Sequence, residues 1–147
     1  MLTYVGLALT MAATLLLEIL DSRVLSVITW YHLSFVAISV AMLGAAAGGL
    51  VVFLWPDRFP EERTLADLSR WASRFAVTIV LSHIVTLVVP VPDGRTWTAM
   101  ELLALAVMIG VVATPFVIGG IVTTLALTRV PLKVNRLYAA DLTGAAA

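Results

Sequence analysis

The chain has 147 residues, of which 61% are hydrophobic and 12% are charged, and nine basic and nine acidic side chains cancel to a formal net charge of zero. Soluble domains are closer to half apolar and a quarter charged, so this composition predicts an integral membrane protein. The balanced charge provides no basic surplus for nucleic acid, and the absence of cysteine excludes disulfides, thiolate nucleophiles and Cys-based zinc sites.

Four apolar stretches are long enough to cross a bilayer as helices, at residues 2–20, 33–54, 72–89 and 100–127. A spanning helix needs about 20 mostly apolar residues. These stretches lack the alternation of apolar and polar residues that membrane β-strands show, and a helix satisfies its own backbone groups in lipid. The sequence therefore predicts an all-α bundle of about four transmembrane helices. We expect residues 1–147 to form a single module, with the tail 128–147 leading into a further span.

The Lys and Arg residues are distributed unequally between the connections. The first and third connections contain only Arg23 and Arg95. The second connection and the C-terminal segment contain the other seven, namely Arg58, Arg63, Arg70, Arg74, Arg129, Lys133 and Arg136. Because basic residues concentrate on the cytoplasmic side, we expect both termini and the 56–71 connection to be cytoplasmic. The predicted location is the inner (plasma) membrane.

The segment at residues 61–75 has an amphipathic pattern. Leu65, Leu68, Trp71 and Phe75 recur at three-to-four spacing, with three arginines beside them. This pattern predicts a helical segment at the cytoplasmic interface before the third span. The alternative is a solvated loop with incidental apolar residues.

Aromatic residues with a polar edge lie at the predicted span ends. Their amphipathic rings favour the headgroup level of a bilayer. We therefore predict that five of them are interface anchors: Trp30, Tyr31, Trp55, Trp71 and Trp97.

Small residues form a continuous run in the second span. Gly44 and Gly48 form a G-x-x-x-G motif within this run, and Gly49 follows directly. Small residues one turn apart let two helix backbones approach closely in lipid. We predict a close helix contact through Ala41, Gly44, Ala45, Gly48 and Gly49, either with a partner chain or within this chain.

Each predicted span has an ionisable group in, or directly next to, the half that should face outwards, namely Glu18, His32, His83 and Glu101. Arg23 and Asp21 lie at the rim of this region. Ionisable groups at membrane depth are costly and often functional, so one hypothesis is a polar or proton-handling site. The alternative is that the glutamates reach the interface and each histidine contacts a backbone carbonyl. No metal site is predicted, because the two histidines have no nearby third ligand of the usual type.

The stretch from Glu18 to Gly44 contains a distinctive pattern: Glu18 at a span end, Arg23-Val-Leu-Ser, Trp30-Tyr-His and Ala37-Ile-Ser. It resembles the N-terminal membrane region of bacterial spermidine synthase-like membrane proteins. Their multi-span region has a major-facilitator-like layout and precedes a soluble aminopropyltransferase-like domain. The segment from Arg136 through Tyr138 and Asp141 to Gly144 is similar to that family's entry to the next span. The two stretches make up about a quarter of the chain.

The resemblance implies a shared membrane scaffold and not aminopropyl transfer, because the soluble domain that would bind substrates is not among these 147 residues. We expect a non-catalytic scaffold or accessory subunit that packs against other transmembrane subunits or a second membrane half. We expect it to contact the lipid bilayer and to bind neither a cofactor nor nucleic acid. The alternatives are a half or fragment of a transporter-like protein, with Glu18, His32, His83 and Glu101 lining a pathway, and the membrane anchor of a spermidine synthase-like enzyme.

Overall fold

A computed structural model describes residues 2–28, 32–89, 98–130 and 134–146. These residues form five α-helices, α1 (Leu2–Ile28), α2 (His32–Leu54), α3 (Thr64–Val88), α4 (Ala99–Arg129) and α5 (Val134–Ala146). Two short 3-10 turns, Pro56–Arg58 and Glu61–Arg63, join α2 to α3. The described ranges contain no strand, and four helices are long and apolar enough to cross a membrane. The prediction of an all-helical fold with four helices suited to crossing a membrane is therefore confirmed.

Two helices extend beyond the predicted spans. α1 continues past residue 20 to Ile28, and α3 begins at Thr64 instead of residue 72. The additional turns contain charged residues such as Arg23 and Arg70, which a search for apolar stretches leaves out. Most of the amphipathic segment at 61–75 is therefore continuous with the third spanning helix.

α4 lies at the centre of the fold and packs against α2, α3 and α1. In the middle of the bundle, the main core consists of buried residues from three helices: Leu17, Val40, Ala41, Val112 and Phe116. Nearer the α2–α3 connection, a second cluster joins α2 and α4 to the connection itself through Val52, Phe59, Ile121 and Leu125. Since lipid is as apolar as these side chains, such contacts stabilise the bundle mainly by close packing.

α5 packs chiefly against α1. Its Leu137 is fully buried with Leu7 of α1 and Ala126 of α4. A Cβ at Gly144 would overlap the backbone carbonyl of Ala8, so these two backbones are in direct contact. α5 has 13 residues and is about 20 Å long at 1.5 Å per residue, which is shorter than the hydrocarbon core.

Candidate functional site

The small-residue run of α2 lies against α4. A Cβ at Gly44 would lie 2.8 Å from the Phe116 Cβ, and one at Gly48 would overlap the Val117 carbonyl oxygen. On the opposite side, a Cβ at Gly120 would overlap the backbone carbonyl of Ala45. These glycines therefore allow backbone-to-backbone contact between α2 and α4 within this chain.

The other two residues of the predicted packing face belong to the same interface. A Cβ at Gly49 would lie 3.1 Å from the Thr124 hydroxyl oxygen, and Ala41 is buried in the central cluster. The glycines of this face and Ala41 thus pack against α4 or in the core within this chain, whereas the Ala45 side chain is exposed.

Asp21 of α1 and His83 of α3 form a polar pair between two helices. The Asp21 Oδ1 atom lies 3.6 Å from the His83 Nε2 atom, and the Asp21 side chain is only 7% exposed. That separation suits a charge interaction but exceeds hydrogen-bond length. The second carboxylate oxygen of Asp21 and the Nε2 atom of His83 are both buried without a hydrogen-bond partner in the described part of the chain.

The backbone of α3 orients the imidazole ring. The Nδ1 atom of His83 lies 3.2 Å from the carbonyl oxygen of Ile79, one turn earlier. A carbonyl only accepts hydrogen bonds, so Nδ1 carries the proton of a neutral ring. Nε2 then presents its lone pair to the Asp21 carboxyl group.

His83 also lines a groove between α1 and α3, which we call the α1–α3 groove. It has a volume of about 490 Å³, and its lining includes Ala13, Leu16 and Leu20 from α1 with Val80, Ile84 and Leu87 from α3. Most of these side chains are more than half exposed, so the groove opens sideways towards the surrounding bilayer. α4 packs against both helices, whereas α1 and α3 make few or no close backbone contacts among the described residues.

A second cavity of about 350 Å³ lies between the same two helices nearer the start of α1, where Thr3, Gly6 and Thr10 line it. Between the two cavities, the Phe75 ring of α3 and the Thr14 hydroxyl of α1 both approach Gly119 of α4. Phe75 is buried.

The remaining residues of the predicted polar site do not join the Asp21–His83 pair. Glu18 is half-buried one turn before Asp21, and Arg23 is exposed. Glu101 belongs to a capping box at the start of α4, where it accepts a hydrogen bond from the Thr98 backbone N–H at 2.7 Å. His32 begins α2, but its side chain lies outside the described residues.

Two of the predicted interface anchors can be placed. Trp55 is about half exposed next to the 3-10 turn that follows α2. The Trp71 ring lies 6.2 Å from the Phe59 ring, and the Arg74 guanidinium lies over it at 4.6 Å. A cation over an indole face is favourable, and it holds Arg74 against α3. Trp30, Tyr31 and Trp97 lie outside the described residues.

From the sequence, Asp21 is predicted to lie only at the rim of the polar region, because the first apolar stretch ends at residue 20. Once α1 continues to Ile28, the spacing of Leu17, Asp21 and Leu25 places all three on one helix face, and all three are buried. That four-residue spacing is the signal that was missed. Within the described residues, no cluster of three or more His, Cys, Asp or Glu side chains could hold a metal ion.

No protein-family model, curated protein or solved structure matches this chain. The similarity to spermidine synthase-like membrane proteins therefore stays a prediction.

Proposed function

We propose that this chain is a non-catalytic helical subunit that packs against a partner transmembrane helix through the α1–α3 groove. The observation that supports this most strongly is that α1 and α3 flank an apolar groove of about 490 Å³ while packing separately on α4. Membrane helices associate by close van der Waals contact. An open groove at membrane depth offers more such contact to an inserted helix than a convex helix face does.

The position of the small residues supports the same surface. Gly44 and Gly48 contact α4, so the motif that otherwise favours helix association is already used inside the chain. On α1, Ala13 is a small residue in the lining of the groove, where a partner backbone can approach closely.

We propose that the chain lies in the inner membrane, with both termini and the α2–α3 connection on the cytoplasmic side. The basic residues support this proposal because they concentrate at that end of the helices. Residues 61–75 then lie at the cytoplasmic interface, where the stacked Trp71 and Arg74 side chains suit the boundary between lipid and water.

The test is to purify the chain from its own membrane in mild detergent, as wild type and as two variants of matched size. Ala13→Phe fills the groove, whereas Ala46→Phe adds the same ring to an exposed position of α2. We expect a stoichiometric membrane partner with the wild type and with Ala46→Phe, and its loss with Ala13→Phe while far-UV circular dichroism stays unchanged. A wild-type chain that purifies alone, or a partner retained by Ala13→Phe, would contradict the proposal.

A second candidate function is that of a transporter-like half, and the Asp21–His83 pair is the observation that favours it. The pair lies inside two spanning helices, where ionisable groups commonly mark ion or proton pathways. Asp21→Asn should then abolish proton uptake into proteoliposomes, measured with an enclosed pH-sensitive dye, whereas Glu18→Gln should not. Equal uptake by wild type and Asp21→Asn would count against this candidate.

A further inference from the structure

We propose that Asp21 and His83 together form a proton-binding site, in which one exchangeable proton between the carboxyl group and Nε2 joins α1 to α3. The inference goes beyond the subunit role proposed above and does not depend on a partner. It follows from the geometry of the pair and from the groove beside it.

The Nε2 atom of His83 faces the Asp21 carboxyl group. With Nδ1 of His83 directed at the Ile79 carbonyl, the neutral ring presents a lone pair to Asp21. The carboxylate oxygen of Asp21 lies 3.6 Å from this lone pair. Both atoms are acceptors, so no hydrogen bond can form between them without a further proton. One added proton resolves this, either as a carboxylic acid directed at Nε2 or as an imidazolium directed at a carboxylate. Both forms have zero net charge, and removal of that proton leaves a charge of minus one.

Asp21 and His83 both lie within helices that are long and apolar enough to span a membrane, and not at their ends. From Asp21 to the end of α1 at Ile28 is about 10 Å at the helical rise of 1.5 Å per residue. From His83 to the end of α3 at Val88 is about 8 Å by the same measure. A charged carboxylate without a counterion is costly inside a spanning helix. This cost favours the neutral pair with its proton bound.

The bound proton contributes to the packing of α1 beside α3. α1 and α3 pack on α4 but make few or no close backbone contacts with each other in the described part of the chain. The Asp21–His83 pair is therefore a direct link between them at this end of the α1–α3 groove. When the proton leaves, the remaining negative charge lacks a counterion within the pair, and the two helices lose this link.

The pair lies beside the α1–α3 groove, and few ionisable residues are close to it along the helices. The His83 side chain is 27% exposed and lines the groove, whereas its Nε2 atom and the facing Asp21 carboxyl group are buried. On α1, the nearest ionisable groups are Glu18 and Arg23, and on α4 the nearest is Glu101 at the helix start. Apart from His83, the stretch 75–88 of α3 contains no ionisable residue, and neither does the stretch 33–54 of α2. The titratable His32 begins α2, and its side chain lies outside the described residues. Among the side chains that the structure describes, the charge state of the site is governed mainly by the pair itself.

The test uses nuclear magnetic resonance of the full-length chain in detergent micelles with labelled histidine and aspartate. The chain has only two histidines, so His32→Gln leaves the His83 signals alone in the spectrum. We expect Nδ1 of His83 to be protonated throughout the titration. We also expect Nε2 of His83 and the Asp21 carboxyl carbon to change together, with a single common midpoint, because they share one proton.

Three variants separate the outcomes. Glu18→Gln, one turn from the site, should leave the common midpoint unchanged, whereas Asp21→Asn should abolish the coupled change at His83. Should Asp21→Asn fail to fold, His83→Asn serves the same purpose, with the Asp21 carboxyl carbon as the readout. The proposal is overturned by an unprotonated Nδ1, by separate midpoints for the two groups in the folded protein, or by a His83 titration that is identical with and without Asp21.

Discussion

The contact between α2 and α4 predicts an unusual response to the smallest possible substitution. In an exposed helix, Gly→Ala stabilises by about 0.5–1 kcal/mol because alanine restricts the unfolded chain and is the better helix former. At Gly48, the new Cβ would overlap the Val117 carbonyl oxygen and lie 2.8 Å from the Ile121 backbone nitrogen. These are backbone atoms, so no side-chain rotation relieves the overlap, and α2 and α4 have to separate.

The contact at Gly44 indicates how far α2 and α4 would have to separate to accept a Cβ. A Cβ there would lie 2.8 Å from the Phe116 Cβ, whereas ordinary contacts begin at 3.4 Å, so the shortfall is the difference of 0.6 Å. At Gly48 the overlap is more severe. Forcing extra atoms into a packed core typically costs about 1–3 kcal/mol. After the helix-propensity gain is subtracted, we expect Gly48→Ala to lower the free energy of unfolding by up to about 2 kcal/mol.

The assay is unfolding by sodium dodecyl sulfate in mixed micelles, followed by far-UV circular dichroism. Gly6→Ala and Gly110→Ala are matched controls, because a Cβ at either position meets no atom within 4 Å. We expect both controls to be at least as stable as the wild type and Gly48→Ala to unfold at lower detergent fraction. If Gly48→Ala were as stable as the two controls, α2 and α4 would not be in backbone contact and the described packing would be wrong.

Three further predictions concern other parts of the bundle. Thr98→Ala removes the capping box at the start of α4 and should cost about 1 kcal/mol of unfolding free energy in the same assay, whereas Thr98→Ser, which keeps the hydroxyl, should cost much less. Gly144→Leu should detach α5 from α1, because any Cβ there overlaps the Ala8 carbonyl. We expect faster amide hydrogen exchange only in α5 and in the turns of α1 that contact it, and unchanged exchange would contradict this. Burial raises the pKa of Asp141, so the folded chain holds a proton more tightly than the unfolded chain and loses stability as pH rises above the ordinary carboxyl range, about pH 4. Asp141→Asn should therefore be more stable than wild type at neutral pH, and the difference should disappear in thermal melts near pH 4; a difference that is equal at both pH values would refute this explanation.

The existence of four spanning helices was predictable because length and hydropathy are local properties of the chain. Their ends were not, since charged residues such as Arg23 and Arg70 interrupt the apolar pattern without interrupting the helix. For the same reason, Asp21 lies outside the apolar stretch that ends at residue 20, although its spacing from Leu17 and Leu25 places it on the buried face of α1.

The amino-acid sequence by itself determined that this chain is helical and apolar enough for a membrane, and that α2 carries a face on which another helix can pack closely. Only the tertiary structure decided that α4 occupies that face, through Gly120 against Ala45. It likewise decided that His83 pairs with Asp21 instead of Glu18 or Glu101. The physical reason is that partner choice depends on the rotation and tilt of whole helices. The rotation and tilt are set by many small packing contacts between distant segments, and these contacts cannot be predicted from a local pattern of residues.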